Sequence, residues 1–218
     1  MLVLAGCTSD PPVPAETVTV TVTATPSPVE TVAVTQTAAP AVHVPVGEYA
    51  ILLGDGATDD DAALAAAFVD FALEPSATPE GLTFDPDGVQ LGILQRIFAT
   101  RAPSELAASS AWVIGGEDDV LFERTGPFSA IEPVRQWVLA RESETEFVVA
   151  TGAFQVAVGQ HEGCPYAIEG VPAGMESARQ VWLTPVGENV SCADGWFAVD
   201  LFVVDGAVTA VTVELGSP

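Results

Sequence analysis

The sequence has no lysine, one asparagine (Asn189), two histidines and three cysteines among its 218 residues. Without lysine, neither a phosphate-binding P-loop nor serine–lysine catalysis is available. A serine triad would have to use His161, the only histidine after residue 47, and no Gly-x-Ser-x-Gly motif accompanies it. No apolar run approaches the roughly 20 residues that cross a bilayer as a helix. A phosphate-binding P-loop and serine–lysine catalysis are therefore excluded, and other nucleophilic catalysis finds little support in the sequence.

Positive charge is also scarce, because six arginines stand against 30 acidic residues and give a formal net charge of −24. Binding to nucleic acid phosphates needs clustered basic residues, so nucleic acid is excluded as a partner. Anionic lipid headgroups would repel the protein as well. Cationic partners and diffusely held divalent cations remain compatible with this charge. The simpler interpretation is that the charge keeps an alanine- and valine-rich surface soluble.

The N-terminal stretch Leu4-Ala5-Gly6-Cys7 resembles the lipobox of bacterial lipoproteins. The resemblance implies removal of Met1–Gly6 and attachment of diacylglycerol to the Cys7 sulfur, and two acyl chains are enough for stable anchoring. Residues 1–7 are therefore interpreted as the truncated remnant of a signal peptide, explained by a late start codon or a trimmed sequence. The predicted location is extracytoplasmic, on the cell membrane. A chance match on a cytosolic N-terminus is the alternative.

Residues 8–47 are rich in proline, threonine and valine, which predicts a disordered linker. The run Thr17–Thr23 alternates like a strand but has no turn and partner to pair with. Proline-rich flanks favour extended conformations, so about 40 residues could reach on the order of 120 Å. The linker would hold a domain away from a membrane.

Residues 48–218 are predicted to form a single α+β domain, with N-terminal helices packed on a curved, mainly antiparallel sheet that ends in a C-terminal β-hairpin. Helices are predicted from Thr58 to Pro75, over 86–100 and over 131–140, and a further short helix is predicted to start at Pro103-Ser104-Glu105-Leu106. Strands are predicted over 49–53, 112–114, 120–122, 147–150, 154–158, 179–184, 196–204 and 207–215. Asp205-Gly206, between the last two strands, is a preferred type I′ turn pair.

Cys164 and Cys192 are the only thiols of the domain, and in an oxidising compartment they are predicted to form a disulfide. No Cys-x-x-Cys motif suggests a redox role. His161-Glu162-Gly163-Cys164 offers too few soft ligands for zinc. No metal or other cofactor is expected.

Three acidic clusters, at 59–61, 85–87 and 117–119, could in principle hold calcium, but none has EF-hand spacing. Helix caps and turns account for them more simply. The four tryptophans could stack on sugars, although core packing is the commoner role; they are Trp112, Trp137, Trp182 and Trp196.

The second half of the domain resembles a group of secreted or lipid-anchored actinobacterial cell-envelope proteins. The resemblance lies in Gly126–Ala130, in Ser191-Cys192 with Trp196–Val203, and in Asp205–Thr212. It implies an envelope protein, and brings no activity, cofactor or catalytic residue with it.

The sequence thus favours a membrane-anchored, non-catalytic binding or envelope-associated domain. Its expected partners are the lipid bilayer, through diacylated Cys7, and an envelope protein, peptide or wall ligand. The alternative is a small cell-envelope hydrolase, for which two carboxylates should converge within about 5–10 Å in a cleft. A purely structural spacer also stays open.

Overall fold

Seven strands form the main sheet of this α+β protein, in the order β1-β6-β7-β8-β9-β2-β3. The computed structural model describes residues 47–115, 126–139, 151–159, 171–187, 190–193 and 195–216. Its elements are β1 (Ala50–Leu53), α1 (Asp59–Leu73), β2 (Val89–Ile93), β3 (Arg96–Arg101), a 3-10 helix (Ser109–Trp112), β4 (Val113–Ile114), β5 (Phe128–Ser129), α2 (Glu132–Leu139), β6 (Ala153–Val158), β7 (Arg179–Val186), β8 (Phe197–Val204) and β9 (Ala207–Leu215).

The main sheet is mixed, mainly antiparallel and not closed. β1 runs parallel to β6 and β2 runs parallel to β9, whereas the other neighbours are antiparallel. β4 and β5 form a separate two-stranded sheet. Among the described residues, neither helix has the length and apolar character that crossing a bilayer requires. The α+β class predicted from the sequence is confirmed.

The hydrophobic core lies between the two helices and one face of the main sheet. Phe68 and Phe71 of α1 make edge-on contacts with Trp112, with ring centroids 6.1 and 5.4 Å apart. The indole nitrogen of Trp112 donates to the Leu106 carbonyl at 2.9 Å, and that of Trp137 donates to the Ala153 carbonyl at 2.8 Å. Both side chains are buried with their polar atoms satisfied, so they belong to the core.

The first helix begins where its sequence predicts. Thr58 and Asp61 form a capping box, because the Thr58 amide donates to Asp61 Oδ2 at 2.8 Å and the Asp61 amide donates to Thr58 Oγ1 at 3.4 Å. At the other end, Nη1 of Arg135 on α2 donates to the Ala72 and Leu73 carbonyls, both at 3.0 Å. A cation at this position also interacts favourably with the negative end of the helix dipole.

The helix predicted over 86–100 is wrong, since these residues form the β2–β3 hairpin. Val89, Leu91 and Ile93 alternate with Gln90 and Gly92, and this period-two pattern puts the three apolar side chains on one face. Leu94 and Gln95 form a two-residue turn with φ of 50° and 62°. Leucine and glutamine are uncommon in left-handed backbone, so the sequence did not predict a turn here.

The short helix predicted to start at Pro103–Leu106 is also wrong. These residues make successive tight turns, and the 3-10 helix begins only at Ser109. Trp112 belongs to that helix, so the strand predicted over 112–114 is shorter, and it pairs with β5. The strands predicted over 120–122 and 147–150 lie outside the described residues.

The remaining predicted elements of the described chain are confirmed with small shifts of their ends. They are β1, α2, β6, β7 and the terminal β8–β9 hairpin. Asp205 and Gly206 have φ of 49° and 81°, as a type I′ turn requires. Two-residue hairpin turns of this kind match the twist of the strands they join.

Candidate functional site

Two acidic side chains are buried on the face of the main sheet that points away from the helices. Val199, Leu201 and Val213 face the core, so the alternating residues Asp200 and Glu214 must lie on the opposite face. Asp200 is 0% exposed and Glu214 is 1% exposed. Buried carboxylates are costly unless hydrogen bonds and opposite charges compensate them.

The amide nitrogen of Gln95 joins the two carboxylates. Nε2 lies 3.1 Å from Asp200 Oδ2 and 2.7 Å from Glu214 Oε1. Both oxygens contact the same nitrogen, so they lie within about 6 Å of each other. Gln180 Nε2 donates to Asp200 Oδ1 at 3.0 Å, and Thr212 Oγ1 donates to Asp200 Oδ2 at 3.3 Å. The result is a network of charge-assisted hydrogen bonds across three strands and a turn.

The backbone around Gln95 is shaped to bring its side chain to this place. Left-handed backbone at a residue other than glycine costs on the order of 1 kcal/mol or more, and both turn residues adopt it. Gly92 lies under the turn, where the pairing of β2 with β3 shifts register. A Cβ at Gly92 would lie 2.5 Å from the Arg96 carbonyl oxygen, so only glycine fits.

The approach of Asp200 and Glu214 to within about 6 Å satisfies the convergence expected of a hydrolase, but their position does not match a cleft. General acid–base catalysis requires a group within hydrogen-bond reach of the substrate, and neither side chain meets solvent here. The pair therefore meets the requirement that two carboxylates converge, but not the requirement that they line a cleft. Neither residue was predicted as a site residue, although Asp200 is the single acid inside the apolar run Phe197–Val204.

Exposed carboxylates gather at one end of the main sheet. β1, β3, β6 and β8 end there, and β2, β7 and β9 begin there, as their pairing requires. The acidic end consists of the exposed acids of the loops and the helix start at this position, namely Asp55, Asp59, Asp60, Asp87, Glu176 and Asp205. The chain enters the described domain at Gly47, at the opposite end of the sheet. This acidity is spread over separate segments and does not converge on one point.

One acid of this region is buried and paired. Arg179, the first residue of β7, donates from Nε to Asp61 Oδ1 at 2.9 Å and from Nη2 to Asp61 Oδ2 at 2.7 Å. The hydrogen bonds from Arg179 outweigh burial, and together with those from Thr58 they lower the pKa of Asp61 from 3.8 to about 2. The bidentate pair ties the start of α1 to the sheet.

The acidic clusters considered for calcium have structural roles where they are described. Asp61 caps α1, and Asp85 closes a turn in which its Oδ1 accepts from the Asp87 amide at 2.9 Å. The cluster at 117–119 lies outside the described residues. Within the described ranges, no three histidine, cysteine, aspartate or glutamate side chains come together as metal ligands would.

Of the predicted cysteine sites, only Cys192 lies among the described residues. Cys192 lies half-buried in the turn before β8, and Gly216 packs directly against its carbonyl group. Cys7, Cys164 and His161 lie outside the described residues, so the lipid attachment and the disulfide stay predictions. No protein-family model, curated protein or solved structure matches this chain.

Proposed function

We propose that this chain is a lipid-anchored extracytoplasmic lipoprotein whose α+β domain is a non-catalytic binding module of the cell envelope. The lipobox-like stretch ending at Cys7 supports the anchor, and the proline-rich residues 8–47 support a disordered spacer. N-terminal helical packing on a curved sheet and a Cys164–Cys192 disulfide belong to the same proposal. Its partner is an envelope protein, peptide or wall component.

The acidic end of the sheet is the observation that carries the binding role. Its carboxylates are exposed and distributed, which suits attraction of a cationic partner better than catalysis at a point. Of the described arginines, Arg135 and Arg179 are committed to carbonyl groups and carboxylates of the fold itself. The chain enters the described domain at the other end of the sheet.

The anchor is tested by mass spectrometry of the mature protein. Expressed from its own gene in a native-like host, the mature protein should begin at Cys7 and carry a diacylglyceryl mass. Cys7→Ala is the matched variant, and it should leave the membrane fraction. Alkylation without reduction should leave Cys164 and Cys192 unlabelled. A product that retains its leader and lacks acyl chains would overturn the anchor.

The binding role is tested by crosslinking in intact cells. We expect an enriched envelope component whose recovery falls with salt and falls further when Asp59, Asp60 and Asp205 are changed together to asparagine. A matched triple change of Glu48, Glu74 and Glu80 to glutamine removes the same charge from positions outside the acidic end. Equal recovery from the two triple variants would refute a role for the acidic end.

The convergence of Asp200 and Glu214 is the one observation that favours the hydrolase instead. Under that alternative, the purified protein would cleave a wall glycan or peptide, and Asp200→Asn would abolish the cleavage while leaving the folded content unchanged. We expect no turnover from either protein. Turnover that depends on Asp200 would replace the binding proposal.

A further inference from the structure

An open hollow of about 540 Å³ lies beside the last residue of β3. It is bordered by Arg101 and by the loop that follows, and most of its lining is small: Ser104, Ala107, Ala108, Ser110 and Ala111, with Glu105 beside them. The volume lies in the range of about 300–1,000 Å³ that holds small ligands. Small side chains let the main chain of a ligand approach closely.

The loop around the hollow is anchored by one buried side chain and by several hydrogen bonds. Leu106 at its centre is fully buried, and its carbonyl accepts from the indole of Trp112 at 2.9 Å. Successive turn bonds run from the Glu105 amide to the Ala102 carbonyl at 2.9 Å and from the Ala108 amide to the Glu105 carbonyl at 3.0 Å. A preformed hollow costs little ordering when a ligand binds.

Arg101 brings a fixed positive charge to the hollow. Its Nε donates to the Ala111 carbonyl at 3.0 Å, which holds the guanidinium across the base of the loop. Arg135 and Arg179 form ion pairs with Glu132 and Asp61, whereas Arg101 has no carboxylate partner within the described part of the chain. The protein has 30 acidic residues and six basic ones. An arginine without a carboxylate partner is therefore available to bind the carboxylate of a ligand.

Glu105 brings a negative charge to the same hollow. Its Oε2 accepts from the Ala102 amide at 2.7 Å, which fixes the carboxylate, and the side chain is exposed. No ion pair joins Glu105 to Arg101 in the described structure, although both border the hollow. The hydroxyls of Ser104 and Ser110 make no hydrogen bond there either. Two separated opposite charges and two hydroxyls therefore face one small-walled space.

We infer that this hollow binds a short zwitterionic peptide of small residues. The terminal carboxylate would pair with Arg101, the terminal ammonium with Glu105, and the serine hydroxyls with peptide groups between them. A ligand of zero net charge is not repelled by a protein of net charge −24. None of the residues that line the hollow belongs to the acidic end as defined above, so the inference goes beyond the proposed function and adds a second binding site.

Titration of the full chain with trialanine, followed by amide chemical shifts, tests the inference. We expect shifts in the 101–111 loop, and binding about tenfold tighter for free trialanine than for its N-acetyl or C-amide form. Arg101→Ala should weaken binding about tenfold, and Glu105→Gln should remove the preference for a free ammonium. Arg96→Ala, at the other end of β3, is the matched control and should leave the affinity unchanged.

Because Arg101→Ala also loses a hydrogen bond within the loop, a second variant keeps the test decisive. Ala108→Phe fills the hollow from an exposed position, so it should abolish binding without lowering the melting temperature. Absence of binding to the original protein at about 10 mM, equal binding of the blocked peptides, or full binding by Ala108→Phe would overturn the inference. Failure of acylation at Cys7 would instead overturn the anchor and leave the hollow untouched.

Discussion

The ion pair between Asp61 and Arg179 gives the sharpest prediction for stability. We expect Asp61→Asn to lower the free energy of unfolding at neutral pH, because asparagine keeps a capping oxygen for α1 but loses the charge that holds Arg179. Asp60→Asn, in the same first turn, is the matched control, since Asp60 is exposed. Its effect should stay within about 0.5 kcal/mol.

The magnitude follows from the pKa of the buried carboxylate. A decrease from 3.8 to about 2 corresponds to roughly 2.5 kcal/mol of preference for the charged form in the folded state. The Asp61 side chain is 6% exposed and that of Arg179 is 47% exposed, so solvent screens the pair from one side. After this discount we expect a loss of about 1–2 kcal/mol at pH 7.

The pH dependence of the loss provides the refutation. The folded pKa is depressed, so the stabilising contribution is complete above pH 3.8 and disappears as the pH falls towards about 2. Urea denaturation of the original protein and of Asp61→Asn should therefore differ at pH 7 and converge near pH 2. A difference that is the same at both pH values, or an equal loss in Asp60→Asn, would refute the reasoning.

Two further predictions concern contacts between elements. Gln95→Gly relieves the strain of left-handed backbone but leaves Asp200 and Glu214 without their shared donor. We therefore expect the free energy of unfolding, measured by urea denaturation, to fall by about 1–3 kcal/mol. A stabilised variant would show that the strain of the turn outweighs the hydrogen bonds of the amide. Arg135→Gln removes the cation at the end of α1 and should lower the free energy of unfolding by about 1 kcal/mol. Amide hydrogen exchange should become faster in the last turn of α1 and stay unchanged in its first turn. An equal change along the whole helix would contradict this prediction.

Local signals in the sequence were sufficient wherever the structure uses common chemistry. The Thr58 cap with Asp61 three residues later predicted the start of α1, and Asp205-Gly206 between two apolar runs predicted the terminal hairpin. Both signals act over a few residues. Their outcome does not depend on what packs against them.

Long-range effects explain what the sequence did not predict. Leu94 and Gln95 adopt the left-handed backbone of a two-residue hairpin turn, and there Gln95 bonds to residues more than 100 positions away, which no window of sequence displays. For the same reason Asp200 and Glu214 could not be paired in advance. The acidic clusters at 59–61 and 85–87 were correctly interpreted as caps and turns, since those roles are local.

The position of β9 bears on how the chain can acquire its structure during synthesis. β9 is the latest strand in the sequence, yet it lies inside the sheet and is the only described strand that links β2 and β3 to β8. The β2–β3 hairpin therefore cannot join the rest of the main sheet until β9 has been synthesised. Such late closure slows folding and exposes strand edges meanwhile. Nascent chains of this protein should depend on chaperones until β9 has emerged from the ribosome.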